Sequence, residues 1–186
     1  MAQIGWIIDL TRCVGCHTCT VACIAENNTM PADTNLQVRN GKAVGVRYRR
    51  VIEREIGTFP NVKREFVTMT CHHCQDPACM KSCPVDAISK RSSDGIVLID
   101  LDKCIGCRYC EWACPYGAPQ FNEATGKVEK CTFCQHRLAA GLEPACVTAC
   151  LGKAIRFGYD VGGPGEVPEG FADPSLTRPS VRWERS

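Results

Sequence analysis

The stretch Cys104-Ile-Gly-Cys107-Arg-Tyr-Cys110-Glu-Trp-Ala-Cys114-Pro115 has the residue types and spacing to hold iron and sulfide. The pattern is C-x2-C-x2-C-x3-C-P. Three thiolates within seven residues can take three iron corners of one [4Fe–4S] cube. The fourth, one helical turn later, points away and reaches a neighbouring cube. Pro115 turns the chain away from the cube and removes a backbone donor, and backbone N–H groups near cluster sulfurs help to set reduction potential.

Three more quartets accompany this one. Group one is Cys13, Cys16, Cys19 and Cys23; group two is Cys71, Cys74, Cys79 and Cys83; group three is the stretch above; group four is Cys131, Cys134, Cys146 and Cys150. They form an internal repeat. Ile8-Asp9-Leu10-Thr-Arg-Cys13-Val-Gly-Cys16 matches Ile99-Asp100-Leu101-Asp-Lys-Cys104-Ile-Gly-Cys107. Cys71-His-His-Cys74-Gln75 with Pro77-Ala-Cys79-Met-Lys-Ser-Cys83 matches Cys131-Thr-Phe-Cys134-Gln135 with Pro144-Ala-Cys146-Val-Thr-Ala-Cys150. Groups one and three are therefore one type, and groups two and four another.

The elements that must position these thiols are short. Trp6–Leu10 and Gly95–Leu101 are apolar, β-branched runs that predict strands leading into groups one and three. Ala87–Ser89 and Ala154–Phe157 predict return strands after groups two and four, and short helices fit between third and fourth cysteines. Val44–Ile52 alternates apolar and basic residues and predicts a hairpin or meander. Its Arg47, Arg49 and Arg50, with Arg54 beyond, read either as a solvated strand face or as a surface for an acidic partner. Residues 159–186, rich in Gly and Pro, predict an extended tail that builds no core and lies on a partner protein.

Composition narrows the classes. Sixteen cysteines in 186 residues is about one in twelve, near the density at which cysteines rather than a core carry a fold. A secreted disulfide scaffold is disfavoured, because Met1–Leu10 has neither the basic nor the long apolar region of a signal peptide. A net charge of +2 gives no electrostatic case for nucleic acid. No run approaches the ~20 apolar residues that span a bilayer, so membrane association is expected only through a partner. Zinc also uses C-x2-C pairs, but three sulfurs at x2, x2 spacing suit three corners of a cube better than one tetrahedral ion. Spacing alone leaves cluster sharing open. Groups one with two and three with four, or one with four and two with three, both join unlike types.

With these motifs the chain resembles the four-cluster iron–sulfur subunits of the dimethyl sulfoxide reductase and polysulfide reductase family of molybdoenzymes. The resemblance covers residues 5 to about 158. It rests on Cys71-x2-Cys74-x4-Cys79-x3-Cys83-Pro, on Cys104 through Ala118, and on Lys130-Cys131-Thr-Phe-Cys134 with its late pair Pro144-Ala-Cys146 and Cys150. It implies an α+β fold of two intertwined, bacterial-ferredoxin-like units. The first comprises residues 1–61 plus 128–158, with a β insertion at 31–61; the second comprises residues 62–127; the extended tail is 159–186. It also implies four [4Fe–4S] clusters on all sixteen cysteines. Cluster 1 takes Cys13, Cys16, Cys19 and Cys150. Cluster 2 takes Cys23, Cys131, Cys134 and Cys146. Cluster 3 takes Cys71, Cys74, Cys79 and Cys114. Cluster 4 takes Cys83, Cys104, Cys107 and Cys110. Group four departs from the pattern, with Leu151 in place of the proline. Some relatives carry a non-cysteine residue in group three and a three-iron cluster; Cys107 stands here, so four cubanes are implied.

The function implied is electron transfer between a molybdenum or tungsten catalytic large subunit and a quinone-linked membrane anchor subunit or other redox partner. No catalytic residue and no molybdenum cofactor are expected in this chain, and the side of the membrane is left open. The alternatives are a wire subunit of a formate dehydrogenase- or hydrogenase-type complex, and a zinc- or cluster-stapled structural adaptor. Near the thiols, His72 and His73 are expected to back a cluster or face a partner rather than ligate. Trp112 is expected to pack against a cluster and keep water away. Arg108 reads equally as a cluster-side charge and as a solvated or interface arginine.

Overall fold

A computed structural model describes residues 2–29, 38–39, 42–43 and 45–185. Strand β1 (Ile4–Asp9) runs into the first cysteine group and continues through the loop into helix α1 (Thr18–Asn27). Two-residue strands β2 (Val38–Arg39) and β3 (Lys42–Ala43) pair antiparallel. Residues 31–37, 40, 41 and 44 of the expected β insertion lie outside the described residues. A longer hairpin follows, β4 (Arg49–Ile56) with β5 (Lys63–Thr70), registered from Arg49↔Thr70 to Ile56↔Lys63. It delivers the chain directly to Cys71.

The next segment repeats the first in miniature. Helix α2 (Ala78–Lys81) carries Cys79 and leads to Cys83. Strand β6 (Ile88–Lys90) then pairs antiparallel with β7 (Val97–Ile99). Helix α3 (Tyr109–Ala113) holds Cys110, and a hairpin of β8 (Gln120–Asn122) and β9 (Lys127–Glu129) leads to group four. Helices α4 (Gln135–Ala139) and α5 (Ala145–Thr148) flank the longer loop of that group, and strand β10 (Ile155–Tyr159) pairs antiparallel with β1. The strand entering group one thus pairs with the strand leaving group four, and the strand entering group three with the strand leaving group two. The helices follow suit: α1 packs on α5, and α2 on α3.

The core is aromatic at its centre. The Trp6 ring stacks on Phe133 with centroids 3.8 Å apart and planes at 9°, and its Nε1 donates to the Cys71 carbonyl at 3.0 Å. Ile4, Ile8, Val67, Ile96 and Ile155 complete this layer; a smaller cluster of Ala87, Ile88, Val97 and Val128 lies beneath Cys79, Cys104 and Cys110.

The expectation of a tail that builds no core needs correction. Strand β11 (Val181–Glu184) adds to the free edge of β1 in parallel, with Trp6↔Val181 and Ile8↔Trp183 in register. Val181 and Trp183 are each 1% exposed. The cause is the period-2 alternation of Val-Arg-Trp-Glu, which turns two apolar side chains inward and two charges outward. Farther back, Gln75 N–H donates to Arg178 O and Asp76 N–H to Thr177 O, fastening the tail across group two. Replacing Trp183 with Ala should cost about 3–5 kcal/mol. The check is the guanidinium midpoint for loss of far-ultraviolet circular dichroism; a midpoint equal to wild type would make the tail dispensable.

Candidate metal centres

Each entry into groups one and three is built the same way. Asp9 Oδ1 accepts from the Thr11 and Arg12 N–H groups at 2.9 and 3.2 Å. Asp100 Oδ1 accepts from Asp102 and Lys103 N–H at 3.0 and 3.3 Å. These are Asx turns that bend the strand's end into the loop. Gly15 and Gly106 then take φ of +70° and +71°. A Cβ at Gly15 would meet the Phe66 ring at 2.5 Å, and one at Gly106 would meet the Gly126 carbonyl at 2.2 Å. The repeated glycine is therefore required twice over, by backbone angle and by space. The residues after Cys16 and Cys107, His17 and Arg108, are left-handed as well, as are His73 and Phe133 before Cys74 and Cys134. Such turns aim successive N–H groups inward and form the concavities that hold anions and iron–sulfur clusters.

The thiols gather in rings drawn from distant parts of the chain. One cavity is lined by Cys13, Cys16, Cys19 and Cys150, with Val14, His17 and Thr68. A second is lined by Cys71, Cys74, Cys79 and Cys114, with His72, His73, Tyr116, Lys130 and Thr177. A third is lined by Cys83, Cys104, Cys107 and Cys110, with Ile105 and Arg108. Their volumes, mouths included, are about 330, 360 and 300 Å³. The remaining thiols, Cys23, Cys131, Cys134 and Cys146, are all buried, and the last three are electrostatic neighbours of Cys23. Four thiols lining one cavity, three from one group and one from another, suit the iron corners of a cube of iron and sulfide.

Burial governs the thiols. It pushes Cys74 and Cys79 up to about 12 and Cys110 to about 11, and raises Cys23, Cys131, Cys134 and Cys146. Cys16, at the surface, is instead lowered by hydrogen bonds from Thr18. Metal ligation requires thiolates, so binding here is coupled to proton release. Backbone donors stand ready: Ala87 N–H to Cys83 Sγ at 3.3 Å, Ala154 N–H to Cys150 Sγ at 3.2 Å and Phe133 N–H to Cys131 Sγ at 3.3 Å. Cys150 keeps this bond although Leu151 replaces the proline that follows Cys83.

His72 and His73 are buried and line the cavity of Cys71, Cys74, Cys79 and Cys114, the first of the two roles expected of them. Burial, with Arg49 and Arg50 nearby, pushes His72 down to about 3, and burial holds His73 well below its ordinary value. Both are neutral, and His73 Nδ1 accepts from Val97 N–H at 3.1 Å. Trp112 is 73% exposed and so does not pack on the thiols. It lies two residues past the inward-facing Cys110, about 200° around the helix, and meets Tyr109 at 5.9 Å. Arg108 pairs with Glu111 at 2.8 Å and lies over Phe121. The expected arginine face of the hairpin is divided. Arg49 is buried, Arg50 donates to the Tyr116 and Gly117 carbonyls, and Arg54 pairs with Glu65. Burial opposes the Arg49 charge, but Cys146, Cys131, Cys19 and Cys23 outweigh it and hold its pKa above the ordinary value. Thr177, in the tail, carries no motif that would mark it. It bonds Tyr116 at 3.0 Å and supports the Cys74 thiol.

A family model described as a 4Fe–4S dicluster domain matches residues 62–160. The chain is 42% identical to the B subunit of the selenate reductase of Mesobacillus selenatarsenatis, over 95% of this chain and 68% of that protein. It is also 42% identical to the B subunit of the sulfite dehydrogenase of Allochromatium vinosum, over 85% and 69% of the two proteins. Against the B subunit of the anaerobic dimethyl sulfoxide reductase of Escherichia coli, identity is again 42%, over 84% and 73%. The chain is a member of the family of iron–sulfur B subunits of the molybdoenzyme reductases. The iron–sulfur subunit is accordingly an electron carrier of an oxidoreductase complex, not its catalytic chain. Among its described residues, no helix is long and apolar enough to cross a membrane.

Two glycines in similar backbone conformations separate strain from space. At Gly126, φ is +68° but a Cβ would meet nothing within 4 Å. Gly126→Ala should therefore cost about 1 kcal/mol from the left-handed backbone, and Gly106→Ala distinctly more. Thermal melts of the two variants, with iron retained per chain, check the order; equal losses would contradict the close approach at Gly106.

Proposed function

We propose that this subunit carries four [4Fe–4S] clusters with crossed ligation, in two interlocked units. The ligand sets are Cys13, Cys16, Cys19 with Cys150; Cys131, Cys134, Cys146 with Cys23; Cys71, Cys74, Cys79 with Cys114; and Cys104, Cys107, Cys110 with Cys83. The observation that carries this reading is the make-up of the three cavities, each lined by three cysteines of one group and the last of another. The strand pairings β1 with β10 and β6 with β7 support it, since they join the same groups in the same way. Bound clusters supply one-electron storage, and the protein sets their spacing, burial and hydrogen bonding.

The order of the wire is supported by which sets adjoin. All four thiols around Cys131 are buried, and Cys71 is an electrostatic neighbour of Cys131. That adjacency supports placing these two sets in the middle. The outer sets each bear an exposed apolar residue at the repeated position between the first and second cysteine. Val14 is 64% exposed and Ile105 is 62% exposed. Leu151, next to Cys150 of the first set, and Tyr109 and Trp112, on either side of Cys110 of the second, are exposed as well. Exposed apolar patches mark docking surfaces. They support a wire with two ends, one toward a molybdenum or tungsten catalytic subunit and the other toward a membrane anchor or other redox partner. Membrane association comes through that partner.

Two experiments test this. Cys114→Ala should perturb the cluster of Cys71, Cys74 and Cys79 and leave the cluster of Cys104, Cys107 and Cys110 with all its ligands. Electron paramagnetic resonance of Cys114→Ala, read against Cys74→Ala and Cys107→Ala, checks it: a spectrum matching Cys107→Ala would refute crossed ligation. Trp112→Glu should leave all clusters in place but weaken assembly at one end at least tenfold, measured as co-purification of partner chains with the tagged subunit. Full assembly would remove that patch from the docking surface.

A further inference from the structure

Arg49 is 1% exposed, in the midst of thiols. Its guanidinium lies 4.5 Å over the Trp6 ring, which is itself clamped by Phe133 and by the Cys71 carbonyl. Nη1 donates to Thr68 Oγ1 at 3.0 Å, and that hydroxyl stands 3.8 Å from Cys19 Sγ. Cys146, Cys131, Cys19 and Cys23 are electrostatic neighbours of the guanidinium. Nη2 is buried and has no hydrogen-bond partner among the described residues. Arg49 therefore stands between a thiol of the Cys13 set and thiols of the Cys23 set. An arginine cannot shed its proton, and a buried cation without an anion is costly. The anions within its reach are the ligands of two clusters.

We propose that Arg49 is the shared counter-ion of the clusters held by Cys13, Cys16, Cys19 and Cys150 and by Cys23, Cys131, Cys134 and Cys146, a positioning residue that raises the reduction potential of both. The inference rests on the four-cluster reading above. Each one-electron reduction adds a negative charge to a centre already bounded by four thiolates. A fixed positive charge at low effective dielectric favours the reduced form, and charge is one of the levers on cluster potential. Because one guanidinium serves two sets, its effect falls on both members of one pair. Arg49 also faces His72 beside the Cys71 set, but the thiols that act on it are Cys19, Cys23, Cys131 and Cys146, so its effect is largest on the two sets they belong to. The Trp6 stack and the Thr68 bond fix the charge in place, so its contribution does not depend on a mobile side chain.

The test compares Arg49→Met, which keeps most of the bulk and loses the charge, with Arg49→Lys, which keeps the charge. Both are made in the assembled complex and followed by redox titration with paramagnetic resonance. Arg49→Met should lower two of the four potentials. At a fixed solution potential, the reduced-to-oxidised ratio of those two should fall about tenfold, which is 59 mV for a one-electron couple. Arg49→Lys should restore most of the shift, with iron content equal to wild type. Four unmoved potentials in Arg49→Met, or four that move together, would overturn the proposal. So would equal loss of iron in both variants, which would make the side chain's shape the requirement rather than its charge. Loss of iron in Arg49→Met alone, with Arg49→Lys intact, supports it. A wild-type subunit without four iron–sulfur clusters would instead overturn the reading on which the inference rests.

Discussion

Sulfurs from residues far apart in sequence must meet around common hollows, and this requirement shapes the rest of the molecule. Cys13 and Cys150 line one cavity from opposite ends of the sequence, and Cys79 and Cys114 line another. Only strand pairings that fold the polypeptide onto itself can deliver them, which is what β1 with β10 and β6 with β7 do. The elements are short because their task is to set down thiols, not to bury a large apolar core. Burial raises many of the thiols above their ordinary values, and a ligand thiol must give up its proton to bind metal. Iron replaces those protons, and its binding energy is folding energy in small cluster domains of this kind.

Much of this was legible in the sequence. The quartets, their two repeat types and the strands entering and leaving them are local patterns, and the family's iron–sulfur character follows from them. Other features depend on register. The alternation around Arg49 reads as a solvated strand, yet pairing with Thr70 over the Trp6 ring carries that arginine inside. Trp112 sits among cysteines in sequence and faces outward in space, because two residues along a helix reverse direction. The four-residue strand ending in Trp183 and Glu184 is too short for periodicity to reveal among glycines and prolines. Thr177 reaches the Cys74 thiol only because that strand docks on β1.

In the wire proposed above, the carrier is insulated along its length and open at its ends. The tail lies across group two, and Trp6, Phe133 and Trp183 belong to one buried core that also holds Cys19, Cys71, Cys131 and Cys146. Val14 and Ile105 occupy equivalent repeat positions and remain exposed beside the outer thiol sets. The internal repeat thus gives two similar apolar tips, with Leu151 exposed near one and Tyr109 and Trp112 near the other.

Whether sixteen cysteines hold four cubes is tested most directly on anaerobically purified protein, analysed for iron and acid-labile sulfide and titrated coulometrically. Four cubes require about sixteen iron and sixteen sulfide per chain, and about four one-electron equivalents taken up in separate steps. Zinc in place of iron, or about half that iron with only two electrons accepted, would contradict it.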